Sequence, residues 1–196
     1  MTRYPDYAAA EAAACEALLR HAPPLPVRPM ALLREVARVI GYEEAAEQLG
    51  LSREAFERRC GQAEAFTVRE GGRSLVCCRL DGHPARLNFT LAHELGHILM
   101  GHAGDAADER EADHFASCLL LPEPVRRRLL ARPELTAEDA AGLCFLSISA
   151  VQAAMRRRPT TLTTPQLAAL DALYAPQLEA LKPLSGKALR RPLRGS

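Results

Sequence analysis

Tryptophan is missing from the 196-residue sequence, and aromatic residues together make up only 5% of it. There is no run of about 18 apolar residues that could cross a bilayer. The first 20 residues carry Arg3, Asp6, Glu11 and Glu16 in place of a basic patch followed by an apolar stretch, so they do not read as a secretory leader. Both absences point away from a membrane and towards the cytoplasm. The six cysteines, at 15, 60, 77, 78, 118 and 144, include no C-x-x-C pair and no spacing that suggests a disulfide framework. Most are expected to be buried small hydrophobes, with Cys77 and Cys78 on alternate faces of a strand. A strong net charge is also missing, the balance being +1. That value hides an asymmetry: residues 156 to 196 hold eight Lys and Arg against Asp171 and Glu179. Such a basic end could meet nucleic acid or an acidic partner, but Pro183, Gly186, Pro192 and Gly195 favour a solvated tail. The remaining composition, 48% apolar and 25% charged, is that of an ordinary soluble chain long enough for one compact domain with a small appendage.

What is present is organised around His93-Glu94-Leu95-Gly96-His97. On a helix, residues four apart are offset by roughly 40° round the axis and about 6 Å along it, so both imidazoles leave one face. Two neutral imidazoles suit zinc and need a third ligand if a fourth position is to stay open. Glu94 projects beside such an ion, where a carboxylate can take a proton from polarised water and pass it to a leaving amine. The apolar run Leu91, Ala92, Leu95, Ile98, Leu99, Met100 makes the helix mostly buried, and two histidines and a glutamate there would be costly without a metal or hydrogen-bond partner.

Around this helix the pattern predicts a helical lead-in. An alanine-rich helix over residues 7–20 is broken by Pro23-Pro24-Leu25-Pro26, and residues 30–39 show apolar positions at helical spacing before Gly41. Short helices are expected over 43–49 and from Ser52 to Arg59. The period then changes, with strands at Phe66–Val68 and Leu75–Leu80 joined across Gly71-Gly72. Ser74 to Arg79, with Leu75, Val76, Cys77 and Cys78 at its centre, is the expected edge strand that could hold an extended peptide by backbone hydrogen bonds. The central helix is expected over 85–100, further helices over 108–121 and 125–131, and a helix-turn-helix outline over Thr136–Arg158.

The third ligand should be a carboxylate on the helix after the histidines, where Glu109 and Glu111 are both available. Glu109 shares a face with Ala112, Asp113 and Ala116, a stripe of small residues that permits close approach, whereas Glu111 lies with His114, Phe115 and Cys118. Glu109 is therefore preferred, with Glu111 the alternative. Asp113 is placed to fix the tautomer of a ligating imidazole. His102, near the helix end, is a candidate for contact with substrate, or a histidine favoured there by the helix dipole. His114 reads as a surface residue.

The segments Arg86-Leu87-Asn88-Phe89-Thr90-Leu91-Ala92-His93-Glu94-Leu95-Gly96-His97, Gly101-His102 and Glu109-x-x-Ala112-Asp113-x-Phe115-Ala116-x-x-Leu119-Leu120-x-Pro122 strongly resemble the ImmA/IrrE family of zinc metallopeptidases. The resemblance covers roughly residues 30–158. It implies His93, His97 and Glu109 as ligands of one zinc ion, Glu94 as catalytic acid and base, and helix-turn-helix transcriptional repressors as substrates in mobile-element or stress regulation. Asn88 stands where the family often has arginine, Asp113 where asparagine is common, and Phe145 where a turn glycine is usual. The expected architecture is α+β: a mainly helical, zincin-like domain with a small antiparallel sheet, followed by the helix-turn-helix-like segment. Its expected parts are an N-terminal helical extension (1–29), the metallopeptidase domain (30–132), the helix-turn-helix-like segment (133–160) and a C-terminal helix with a basic tail (161–196). A regulatory protein that only holds a repressor or DNA is the rival, and the intact Glu94 favours the enzyme. Direct DNA reading is disfavoured because Ala150, Val151, Ala153 and Ala154 offer few base contacts, leaving Gln152 and Arg156–Arg158.

Overall fold

The computed structural model describes residues 3–61, 63–132 and 135–179. It opens with α1 (Tyr7–His21), N-capped by Asp6, whose carboxylate accepts from the amide of Ala9. Then come α2 (Pro29–Val36), β1 (Arg38–Gly41), α3 (Tyr42–Gln48), α4 (Arg53–Cys60), β2 (Ala65–Glu70) and β3 (Arg73–Cys78). The central helix α5 (Pro84–Leu99) is followed by α6 (Ala106–Leu120), α7 (Glu123–Leu130), α8 (Ala137–Cys144), α9 (Ile148–Met155) and α10 (Thr164–Glu179). The architecture is mainly helical α+β, and no described helix is long and apolar enough to cross a membrane. The expected basic tail lies outside the described residues.

The sheet is mixed, not wholly antiparallel. Its order is β1-β3-β2, with β1 parallel to β3 and β2 antiparallel to it. The expected helix over 30–39 ends at Val36, and Arg38–Gly41 pairs in register with Leu75–Cys78. Val39 and Ile40, β-branched and adjacent, suit a pleated strand better than a further helical turn. This pairing corrects the expected edge: Leu75, Val76, Cys77 and Cys78 are in the central strand, paired on both sides, and β2 is an edge.

β3 divides two cores by its alternation. Val76 and Cys78 enter the large core among α1, α5, α6 and the later helices, while Cys77 enters a small one with Ile40, Tyr42, Ala45, Ala46 and Phe56. Burial pushes the Cys77 thiol up to about 11, so it sits there as a small hydrophobe. α5 packs chiefly on α6, which is in turn covered by α1. Phe145 closes α8 with φ 51°, a left-handed conformation that usually falls to glycine, and the Arg28 guanidinium stacks 3.8 Å from its ring centre.

Candidate metal centre

α5 is fixed at both ends. Pro84 occupies its first turn, where a missing amide hydrogen costs nothing. Gly101, with φ 68°, ends it, and the amide of His102 then folds back onto the His97 carbonyl at 3.1 Å. Gly96 lies where α6 crosses: a Cβ there would stand 3.0 Å from Cδ1 of the buried Phe115. The absent side chain is what lets α6 come so near. α6 itself starts with a capping box, the Asp105 carboxylate accepting from Ala107 and Asp108 and the Asp108 carboxylate from Ala103, Gly104 and Asp105. The short loop is thereby ordered, and Glu109 falls in the first turn of α6, facing α5.

Three expected residues converge. His93 Nε2 and His97 Nε2 are 2.9 Å apart, and the Glu109 carboxylate oxygens lie 3.4 Å from each. The opposite ring nitrogens set the tautomers. His93 Nδ1 is 2.9 Å from Asp113 Oδ1, and a carboxylate only accepts, so this nitrogen donates and Nε2 carries a lone pair. His102 Nε2 donates to Glu111 Oε2 at 3.0 Å, which leaves the Nδ1 of a neutral His102 to accept from His97 Nδ1 at 3.1 Å. His97 Nε2 is bare as well. Two lone pairs and a carboxylate thus meet with no donor among them, a set that repels itself and suits a divalent cation of the zinc type.

Electrostatics follow the same layout. Burial disfavours the charged form of His93, but the hydrogen bond to Asp113 and the charges of Asp113, Glu94 and Glu109 outweigh it, and the pKa is raised. His97 is lowered, first by burial and then by His93. The Glu94 carboxyl is raised by burial, against the Thr67 hydroxyl that donates to it. Glu94 lines an open cleft of about 390 Å³ between β2 and α5, together with Thr67, Arg69 and the two histidines. Thr67 and Arg69, two apart on β2, share the face turned to α5. Arg69 donates to the carbonyls of His97 and His102 and so ties the edge strand to the end of α5.

The sequence placed Glu111 on a face with Phe115 and Cys118, and that face is the buried one. There Glu111 accepts from His102, from the Asp6 amide at 2.7 Å and from Arg3 Nη1 at 2.7 Å. Arg3 also pairs with Asp108. A guanidinium already stands between these carboxylates, so His102, Asp108 and Glu111 form a support for His97, and Glu109 is the carboxylate beside the bare nitrogens. His114 is half-buried, its ring 5.0 Å from that of Tyr7, and is not the surface residue expected. Thr67, Arg69 and Arg3 carry no local signal, because only the folded chain brings β2 to α5 and the N-terminus to α6. Glu111 did leave a signal, a charge on an apolar helix face, which demands a partner.

Residues 73–156, from β3 through α9, match the model of a peptidase family, Peptidase_M78, described as the IrrE N-terminal-like domain. A comparison with curated proteins gives no match. The matched span contains α5, α6 and every residue of the His93, His97, Glu109 cluster. Residues 73–156 thus form a domain of the ImmA/IrrE metallopeptidase type.

Proposed function

We propose that this protein is a cytoplasmic zinc-dependent endopeptidase that cleaves a helix-turn-helix transcriptional repressor. The observation that carries the proposal is the donor-free meeting of His93 Nε2, His97 Nε2 and the Glu109 carboxylate, with the Glu94 carboxylate in the same cleft. His93, His97 and Glu109 would hold one zinc ion, which supplies Lewis-acid polarisation of a peptide carbonyl and of water when bound. Glu94 moves the protons: its carboxylate takes one from the attacking water and delivers it to the leaving amine nitrogen. Thr67 holds that carboxylate in place through its hydroxyl. Asp113 and His102 keep the two ligating rings in the tautomer that leaves Nε2 free.

The outer edge of β2, which pairs with no other strand among the described residues, runs along the cleft and offers its backbone groups to an extended segment. Strand addition there aligns the scissile peptide, and a folded helix cannot take part in it. Cleavage therefore falls in a linker or locally unfolded part of the repressor. The repressor itself is inferred from the family resemblance, with direct DNA binding left to the rival reading. Co-expression with the repressor encoded nearest to this protein, followed by mass spectrometry of the fragments, tests it. One discrete cut in an interdomain linker is expected; an intact repressor under every inducing condition, or efficient digestion of unrelated unfolded proteins, contradicts it.

A further inference from the structure

A second depression adjoins the metal centre. It has a volume of about 860 Å³, in the upper part of the roughly 300–1,000 Å³ range usual for binding pockets, and lies among the first half of α5, the middle of α6 and α9. Its lining is apolar at Phe89, Ala150 and Ala153, and five arginines, at 86, 110, 156, 157 and 158, stand around it. Asp113 is the one acidic residue of that described lining, and it is also the partner of His93 Nδ1. Phe89 precedes His93 by one helical turn and so shares its face. The depression and the catalytic cleft are therefore two parts of one groove along α5 and α6, divided at the Asp113–His93 pair.

The arginines are not equally engaged. Arg157 donates to the Leu121 carbonyl at 2.7 Å and to Ser117, and Arg86 pairs with Glu64 at 3.2 Å. Arg158 lies over the Tyr7 ring at 5.6 Å. Arg110 and Arg156 are exposed, and their guanidinium groups make no hydrogen bond or ion pair with the described residues. Guanidinium groups that outnumber the acidic residues of a concavity form a site for carboxylates, which they can bind through two parallel hydrogen bonds.

We propose that this groove binds an acidic, partly apolar segment of the substrate protein, next to the residues presented at the metal centre. The proposal rests on the peptidase reading for the identity of the ligand as substrate, and deepens it by naming the docking chemistry. A peptide fits better than DNA. α9 forms one wall of a concavity, whereas helices that read DNA protrude into its major groove. Phe89, Ala150 and Ala153 offer contact to apolar side chains, for which a phosphate backbone has no counterpart.

The test uses the full chain carrying Glu94→Gln, so that binding is read without cleavage, and a fluorescein-labelled peptide of alternating Glu and Leu followed by anisotropy. Adding Arg110→Gln with Arg156→Gln should weaken binding by about tenfold or more, equivalent to ~1.4 kcal/mol. Added salt should weaken it too. Arg20→Gln with Arg38→Gln, on exposed residues away from the groove lining, should leave it unchanged. A melting curve for each variant verifies folding, and a Lys/Leu peptide, which should not bind, checks the sign of the charge on the intact groove. Equal affinity in both double variants, binding of the Lys/Leu peptide as tight as that of the Glu/Leu peptide, or no binding at all overturns the proposal. So does tighter capture of a short DNA duplex that the same two substitutions abolish. Failure of the wild type to cut any repressor would count against the peptidase reading without touching this binding result.

Discussion

Replacing Gly96 by alanine sets two effects of opposite sign against each other. Helix propensity alone would stabilise α5 by about 1 kcal/mol. Against this, the new methyl group would stand 3.0, 3.1 and 3.2 Å from Cδ1, Cγ and Cβ of Phe115, where carbon atoms prefer roughly 3.5–4.0 Å. Phe115 is fully buried and cannot swing aside, so α6 has to retreat by several tenths of an ångström. Overpacking of this kind costs about 1–3 kcal/mol. The net expectation is a metal-free protein destabilised by up to about 2 kcal/mol, read as a lower urea midpoint with unchanged slope. Zinc affinity should fall as well, because the retreat carries Glu109 and Asp113 away from His93. A variant at least as stable as the wild type, with its zinc affinity intact, would refute the idea that Gly96 sets the spacing of the two helices.

Glu109→Gln should weaken zinc binding by more than about 100-fold, beyond the roughly 10–100-fold usual for loss of an outer partner, while Glu111→Gln stays within that range. Competition with a chromogenic chelator measures both, and a larger loss in the Glu111 variant would reverse the assignment. Acid stability should depend on Glu123, which is buried against Arg126 at 2.7 Å and Arg127 at 2.8 Å. Burial pushes its carboxyl up, but the hydrogen bonds and charges of these arginines outweigh burial, and its pKa is lowered. Its contribution is therefore complete above the unfolded-state value of about 4.3 and is lost as the pH falls through the lower folded value. Glu123→Gln should flatten the fall of the denaturation midpoint in that window; parallel curves for variant and wild type would contradict this.

The helical register of His93, Glu94 and His97 was legible because it depends on a period within one helix, and so was the face of α6 that carries Glu109. The alternation of Cys77 and Cys78 was legible for the same local reason. Strand order was not. Nothing local distinguishes a strand paired on one side from one paired on both, and β1 comes from a stretch whose apolar spacing also fits a helix. The support for His97 was hidden for a related reason: Arg3 and Glu111 are 108 residues apart and meet only when α1 packs on α6. The arginines of the groove come from α5, α6 and the stretch that follows α9, and their gathering likewise depends on tertiary packing.

The central claim is that His93, His97 and Glu109 hold a metal at which Glu94 performs proton transfer without ligating it. It is tested most directly by measuring zinc content and repressor cleavage together for wild type and Glu94→Gln. Both proteins should hold one zinc ion per chain, and the variant should lose cleavage by roughly 100-fold or more. Undiminished cleavage by Glu94→Gln, or a wild-type protein that neither retains zinc nor needs it to cut, would contradict the account.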